Sequence, residues 1–405
     1  MKIGFYTDTY FPQISGVATS IRTLKSELEK RGHEVVIFTT TDPHAEEQES
    51  DIVRMPSIPF ISFKDRRIVV SGMLDAYETA KELELDIIHT HTEFGAGFLG
   101  KQTAKHLDIP AIHTYHTMYE DYLHYIAKGK LIKPHHVRQA SKAFCRHFSG
   151  IVCPSQRVVD TLNSYNITVP KAIIPTGVDL AHYQQPIDLE KINIRETYQL
   201  KEEDMLLLSL SRLSYEKNIQ GILTGMPKII QTFPQAKLLV VGDGPYRAEL
   251  EELAKSLHIS DYVNFVGAVD NQQVNQFYRQ ADYFVCASDS ESQGLTYLEA
   301  LASELPVVVK GSPYLDSLIT SEIFGSCFKT DEAFADTFIE YVRKDIQEDE
   351  RLRQAKLYEI SSERFGRKVE QFYLEAITFH ERYKMKPIEP KNSSHAFRPF
   401  SKKEP

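Results

Sequence analysis

The stretch Asp282-Tyr-Phe-Val-Cys-Ala-Ser-Asp-Ser-Glu-Ser-Gln-Gly-Leu-Thr-Tyr-Leu-Glu-Ala-Leu-Ala-Ser-Glu-Leu305 decides the fold. Tyr283 to Ala287 is a short apolar run without alternation, as expected of a strand buried on both faces of a parallel sheet. Polar Ser288 to Gly294 follows. Leu295, Leu298, Ala302 and Leu305 then recur at helical spacing. The order is strand, loop, helix, and in an open parallel sheet ligands sit outside the carboxyl ends of the strands. A helix beginning near Gly294 to Thr296 offers unpaired backbone N–H groups and a positive dipole end, which suit a phosphate. Glu291 in the loop and Glu299 in the helix frame that tip, and carboxylates are good acceptors for sugar hydroxyls. The same pair also fits a dipole-favouring charge and a solvated glutamate, so it does not decide function alone.

Bulk properties narrow the field. The 405 residues suffice for two domains. A hydrophobic fraction of 42% and a charged fraction of 25% are ordinary for a soluble α/β protein. The net charge of −9 argues against wholesale nucleic-acid binding. Cys145, Cys153, Cys286 and Cys327 lack metal-like spacing and read as thiols of a reducing compartment. No signal peptide is expected, because Lys2 leads straight into a strand that Asp8 ends, and no apolar run approaches bilayer-spanning length.

Outward from the opening stretch, the α/β pattern repeats. Strands are expected at Ile3–Thr7, Val35–Thr39, Ile87–His91, Ala111–Tyr115, Ile151–Pro154 and Ala172–Pro175, with a helix from Gly16 to about Lys30. Gly16, at a loop–helix junction, allows close ligand approach or is plain turn chemistry. The pattern is not GxGxxG, so no dinucleotide site is indicated. His89, His91, His113 and His116 sit at two strand ends without an acidic or thiol partner at metal spacing, so no metal site is expected; His116 is the best placed to face a cleft. A polar stretch, Gln184 to Asp204, reads as the inter-domain connection. A second series follows at Leu206–Leu210, Leu238–Val241, Val263–Val266, Tyr283–Ala287 and Pro306–Val309. This predicts two Rossmann-like domains facing across a cleft, 1–185 and 186–365, then a helix over Arg364–Tyr383 and a polar tail over 386–405.

Three loops of the second series point one way. Arg212 and Lys217 bring two positive charges beside the Gly294 tip if their strands are neighbours, which would neutralise a diphosphate; a surface ion pair such as Arg212 with Glu216 is the plainer alternative. Gly242-Asp243-Gly244-Pro245 reads as a tight structural turn. Gly267 either opens the backbone to a nucleobase or closes a turn.

The first half carries a local charge reversal. From Tyr122 to Val159 there is no Asp or Glu, but there are Lys128, Lys130, Lys133, Arg138, Lys142, Arg146 and Arg157. Pro134 fits the first turn of a helix. Val137, Ala140, Phe144 and Phe148 share one face and Arg138, Lys142 and Arg146 a neighbouring one. Such a helix lies on an anionic bilayer, or it packs its apolar face on the core and leaves the cations solvated. Phe60 and Phe63, beside Lys64, Arg66 and Arg67, form a second candidate for membrane contact.

With these residues in view, the chain resembles the retaining glycosyltransferases of the GT-B fold, family four, over essentially 1–385. Glu291 and Glu299 around Gln293-Gly294-Leu295 resemble its paired-glutamate signature, and Ser211-Arg212-Leu213 with Lys217-Asn218 its diphosphate clamp. Gly16 and the Gly242–Pro245 turn fall where the family has them. Ser15-Gly16 departs from the family's usual glycine pair. Ser292-Gln293 departs from its usual small residue with Phe and resembles the subgroup that glycosylates diacylglycerol in Gram-positive bacteria, as does Met118 to Phe148. The resemblance implies a final helix, about 366–385, packing back on the first domain. It implies UDP-glucose as donor: ribose on Glu299, sugar on Glu291, diphosphate on Arg212, Lys217 and the amides of Gly294, Leu295 and Thr296, with Gly16, Gly267 and Gln293 also donor-binding. His116 would stabilise the sugar's developing positive charge.

By the same resemblance the α configuration is retained by a front-face route, no cofactor is obligatory, and a divalent metal is at most stimulatory. The implied acceptor is the 3-hydroxyl of 1,2-diacylglycerol, making an α-monoglucosyl lipid for glycolipid and lipoteichoic acid anchors. The implied location is peripheral, on anionic lipid at the inner face of the cell membrane. Alternatives are a monoglycosyl lipid or soluble acceptor, and a non-catalytic nucleotide-binding membrane protein.

Overall fold

The computed structural model describes residues 1–13, 15–45, 50–60, 63–120, 133–190, 192–288 and 293–384, without the side chains at 60, 63–66, 383 and 384. Glu291 and Lys130 therefore lie outside the described residues, as do the side chains of Phe60 and Phe63 and the tail 386–405. The strands in chain order are β1 (Lys2–Tyr6), β2 (Glu34–Thr40), β3 (Ile52–Met55), β4 (Ser57–Phe60), β5 (Phe63–Val69), β6 (Ile87–Thr90), β7 (Ala111–Thr114), β8 (Gly150–Cys153) and β9 (Lys171–Ile173). After them come β10 (Met205–Leu210), β11 (Ala236–Val241), β12 (Val263–Gly267), β13 (Tyr283–Cys286), β14 (Val307–Lys310) and β15 (Gly325–Phe328).

They form two parallel sheets, ordered β3-β2-β1-β6-β7-β8-β9 and β12-β11-β10-β13-β14-β15, and a small antiparallel hairpin, β4-β5. Helices cover both faces of each sheet, so central strands are buried throughout and read as unbroken apolar runs. Each sheet separates two clusters: Tyr6, Phe38 and Ile88 on one side of the first and Ile3, Phe5 and Ile37 on the other. Leu206 and Leu208 against Leu207 do the same in the second.

Strands β3, β4, β5 and β15 were not expected. Ile52-Val-Arg-Met55 is an edge strand broken by a charge, and Gly325-Ser-Cys-Phe328 carries one large apolar residue. Neither has the periodicity that marks a strand in isolation.

The helix Ser362–Lys384 returns to the first lobe. Phe365, Val369, Phe372, Tyr373 and Ala376 pack with Ile3, Phe5, Ile21 and Leu24. Arg31 and His33 reach Glu370 at 3.3 and 2.8 Å. The chain passes between lobes twice, side by side: the Val178 amide donates to Ile360 O (2.9 Å) and the Ser362 amide to Val178 O (2.8 Å). Two adjacent crossings make a compact pivot beneath the cleft.

Candidate active site

In the second sheet, β10 pairs with β13 (Leu207↔Tyr283, Leu208↔Phe284), and the strand order reverses between them. Loops following two such strands diverge to opposite faces and leave a crevice. Arg212, Lys217, Gly294, Leu295, Thr296 and Glu299 line one cleft of about 2020 Å³, joined from the first lobe by Gly16 and His116.

Backbone contacts hold the cationic loop. Tyr215–Lys217 makes a single 3₁₀ turn, and Asn218 ends it in the left-handed region (φ 50°). The Asn218 side chain donates to Ala287 O at 3.1 Å, tying this loop to the end of β13. Below lies the Gly242–Pro245 turn: Leu213 N donates to Asp243 O (3.0 Å), and Tyr246 N to Leu213 O (3.0 Å). A Cβ on Gly242 would stand 1.9 Å from Ser211 O, and Gly242 has φ +130°. The turn is structural, as its sequence suggested, and what it supports is the Arg212 loop. Gly267 belongs to the same support: its carbonyl accepts from Gly242 N at 2.8 Å, and it lies outside the cleft lining, where Ala268 and Val269 stand instead. Direct donor contact by Gly267 is not what this geometry provides.

The helix Leu295–Ala302 starts at Gly294, whose backbone (φ 79°, ψ 89°) suits glycine. Opposite it, the helix Gly16–Lys30 also begins at the cleft, capped by Ser15 accepting from Ala18 N at 3.1 Å. A Cβ on Gly16 would lie 3.8 Å from Leu295, so the two helix tips face each other across a narrow gap. Two positive dipole ends and two cationic side chains thus border one cleft, an environment that favours an anion.

Gln293 does something the sequence did not disclose. It is buried, and its carboxamide pairs with both backbone groups of Thr176, accepting from N (2.9 Å) and donating to O (2.8 Å). Thr176 Oγ1 is in turn 2.8 Å from Ser20 on the Gly16 helix. Gln293 also lines the cleft, so this residue both borders the expected donor site and latches the two helix tips at the inter-lobe crossing.

Glu299 is buried yet lines the cleft. Burial raises its pKa, while hydrogen bonds from the hydroxyls of Tyr278 (2.8 Å) and Tyr183 counter the shift. Neither tyrosine carries a sequence signal; only packing places them behind the glutamate. They fix the carboxylate rotamer, leaving it aimed at the cleft. Glu299→Ala is expected to weaken UDP binding about 10- to 100-fold, the loss of one or two charged hydrogen bonds. Isothermal titration with UDP checks this, and unchanged affinity would exclude Glu299 from nucleotide recognition.

His116 faces the cleft with His91 behind it, Nε2 to Nδ1 at 3.1 Å. His89, fully buried, stacks against His91 and bonds Tyr373 OH (2.8 Å) and Thr114 Oγ1 (2.6 Å). Burial, reinforced by His113, lowers the His116 pKa to about 3. A pKa below the ordinary 6.5 means a neutral imidazole at working pH. A neutral ring can lie against a sugar gaining positive charge, which an imidazolium would repel. An NMR titration of His116 is expected to be flat from pH 5 to 8; a midpoint near 6.5 would contradict this environment.

Residues 14–182 match the family described as Glycosyltransferase Family 4, and residues 190–357 match Glycosyl transferases group 1. The chain is 48% identical to the alpha-monoglucosyldiacylglycerol synthase of Streptococcus pneumoniae, over 93% of this chain and 86% of that one. The chain belongs to glycosyltransferase family 4. This glycosyltransferase is also 32% identical to the alpha-monoglucosyldiacylglycerol synthase of Acholeplasma laidlawii, over 82% of its own length and 86% of the relative's. Its fold matches the crystal structure of Anabaena Alr3699/HepE in complex with UDP-glucose with a TM-score of 0.66 at 16% identity, covering 95% of this chain and 98% of the other. The architecture is thus GT-B, and the protein is a retaining glycosyltransferase of the diacylglycerol glucosyltransferase subgroup.

On the first lobe, the glycosyltransferase corrects one expectation. The helix forms at Pro134–Cys145, but Val137, Phe144 and Phe148 are buried in the protein's own core. These three side chains do not form an outward apolar face for a bilayer, although Val137, Ala140 and Phe144 also line the cleft. Lys133, Arg138, Lys142 and Arg146 remain exposed, with Arg138 over the Tyr165 ring at 5.6 Å. Periodicity identifies an apolar face but not what covers it. Elsewhere on this lobe, exposed apolar side chains include Val70, Met73, Leu74 (73%), Phe94 and Phe98 (51%). Gly95 abuts the Val69 backbone, which brings Phe94 beside Val70, and the helices Met73–Glu82 and Gly95–Leu107 pack together. Phe94 also lines the cleft. Among the described residues no helix is long and apolar enough to cross a membrane, and no three His, Cys, Asp or Glu side chains are grouped to hold a metal ion.

Proposed function

We propose that this enzyme transfers glucose from UDP-glucose to the 3-hydroxyl of 1,2-diacylglycerol with retention, forming monoglucosyl-diacylglycerol. The observation that carries the reading is the 48% identity to an alpha-monoglucosyldiacylglycerol synthase across 93% of the chain, combined with a clamp at the switch point of the second sheet. Arg212 and Lys217 neutralise the leaving diphosphate, with the amides of Gly294, Leu295 and Thr296 and the tip at Gly16 adding dipolar stabilisation. Glu299 holds the ribose and Glu291 the sugar hydroxyls. As the bond from C1 to the phosphate oxygen breaks, its electron pair stays on the diphosphate. The acceptor oxygen attacks from the same face and gives its proton to that phosphate oxygen. The two side-chain cations do this charge work without an obligatory cofactor, and a divalent metal at most stimulates.

A water-insoluble acceptor implies contact with a bilayer. Of the exposed apolar side chains Val70, Met73, Leu74, Phe94 and Phe98, Phe94 lines the cleft, and Lys133, Arg138, Lys142 and Arg146 present charge to anionic lipid at about 1 kcal/mol each. The enzyme thus works as a peripheral protein on the inner face of the cell membrane. Supplying radiolabelled UDP-glucose with diacylglycerol, monoglucosyl-diacylglycerol and soluble sugars in anionic and neutral vesicles tests the reading. The expected product is α-glucosyl-diacylglycerol, formed faster on anionic vesicles. Label on a glycolipid or free sugar would replace the acceptor, and UDP binding without transfer would replace catalysis by a binding role.

A further inference from the structure

We propose that Glu93 is the docking group for the acceptor hydroxyl, in a subsite that Glu93, His113 and Tyr119 form within an apolar wall of the first lobe. The inference rests on the lipid-acceptor reading above and specifies where that acceptor's single polar group sits.

Glu93 follows β6, and β6 lies beside β1, where the order of the first sheet reverses. This is the ligand-binding edge of that lobe. Glu93 lines the cleft on the side opposite the Arg212 loop, and its side chain is 10% exposed. It is held from behind. His113 Nε2 stands 3.1 Å from Glu93 Oε1, where it donates to the carboxylate, and its Nδ1 lies 2.8 Å from the Thr90 hydroxyl and 3.0 Å from the Thr90 carbonyl oxygen. The Tyr119 hydroxyl donates to Oε2. His113 is itself buried, in edge contact with Phe144 (5.0 Å), and Tyr119 meets Phe94 edge-on (5.8 Å). The carboxylate is therefore fixed in one rotamer.

Each carboxylate oxygen accepts about two hydrogen bonds, and the contacts from the described residues use one on each. Setting a carboxylate among Phe94, Met118, Tyr119 and Phe144 carries a desolvation cost that two donors offset only in part. A ligand hydroxyl entering from the cleft supplies a further donor. The wall specifies the rest of the ligand: one hydroxyl on an apolar body, the chemistry of an acylated glycerol. Phe94 lines the cleft and is itself exposed, and Phe98 follows it one turn later on the same helix, also exposed. Glu93 holds the hydroxyl before transfer, and no covalent step is assigned to it.

The test uses the full-length enzyme with Glu93→Gln and, separately, Tyr119→Phe. In Glu93→Gln the amide offers one acceptor oxygen to two protein donors and the ligand. The expected result is a KM for diacylglycerol raised at least tenfold, with UDP affinity and UDP-glucose hydrolysis by water within twofold of wild type; Tyr119→Phe shows a smaller rise. A 3-deoxy diacylglycerol analogue, lacking the hydroxyl, should inhibit the wild type more weakly than a hydroxyl-bearing, non-reacting analogue does. Glu93→Gln should bind both alike. An unchanged acceptor KM overturns the proposal, as does a parallel loss of UDP binding and hydrolysis, which would make Glu93 a general structural residue. If the wild type glucosylates another alcohol instead, the functional reading fails, and the same KM comparison with that alcohol still decides whether Glu93 holds it.

Discussion

Lys217→Ala is expected to lower kcat about 10²- to 10³-fold while leaving the fold intact, the loss typical of removing one group that stabilises developing negative charge. The side chain is half-buried at the end of a 3₁₀ turn, in the cleft shared with the Gly294 helix tip. Its backbone is anchored independently, by Lys217 N to Ser214 O (3.1 Å) and by the Asn218 side chain on Ala287 O. Truncation therefore removes charge without releasing the loop. The effect should fall on turnover more than on UDP affinity, because the cation interacts most strongly with the diphosphate as it departs. Steady-state kinetics on the purified variant checks this, and a wild-type kcat would contradict the clamp.

Gly242→Ala attacks the same loop from below and should cost both stability and activity. The residue has φ +130°, and a Cβ there would lie 1.9 Å from the Ser211 carbonyl oxygen. Backbone oxygen cannot yield as a flexible side chain can, so the Ser211–Ser214 segment must move and with it Arg212. Strain of this kind costs about 1–3 kcal/mol for the dihedral alone, before the clash. A Tm lowered by about 5–10 °C is expected, from roughly 2–4 °C per kcal/mol in a domain of this size, together with near-complete loss of transfer. Gly32→Ala is the internal control. Gly32 also has positive φ (+82°), but nothing lies within 4 Å of its would-be Cβ. That variant should lose a little stability and no activity. Equal behaviour of the two would show that conformation, not the approach of the Arg212 loop, determines the effect.

The reading of Gly242 as a structural turn was correct as far as it went, but its purpose required the pairing of β11 with β10 and β12. Gln293 is the sharper case. The resemblance implied a donor contact for it, and the structure adds that its carboxamide spans to Thr176, 117 positions earlier in the chain. No local pattern encodes such a partner. The basic helix shows the same limit in reverse: its boundaries and amphipathicity were legible from Pro134 and the spacing of Val137 and Phe144, but the burial of that apolar face was not. Tyr183 and Tyr278, which orient Glu299, are ordinary aromatic residues in sequence and acquire meaning only by converging on one carboxylate.

The amino-acid sequence by itself determined the alternation of strands and helices, the two α/β series, and the chemical character of the loops that end the strands. These depend on short-range periodicity and on residues within one turn of each other. Only the tertiary structure decided that β10 lies against β13, that two helix tips from different lobes face each other, and which side of the helix Pro134–Cys145 meets the core. Strand order and buried face are properties of contacts between distant segments, fixed by whichever packing excludes the most apolar surface from water, and a local window holds no record of that competition.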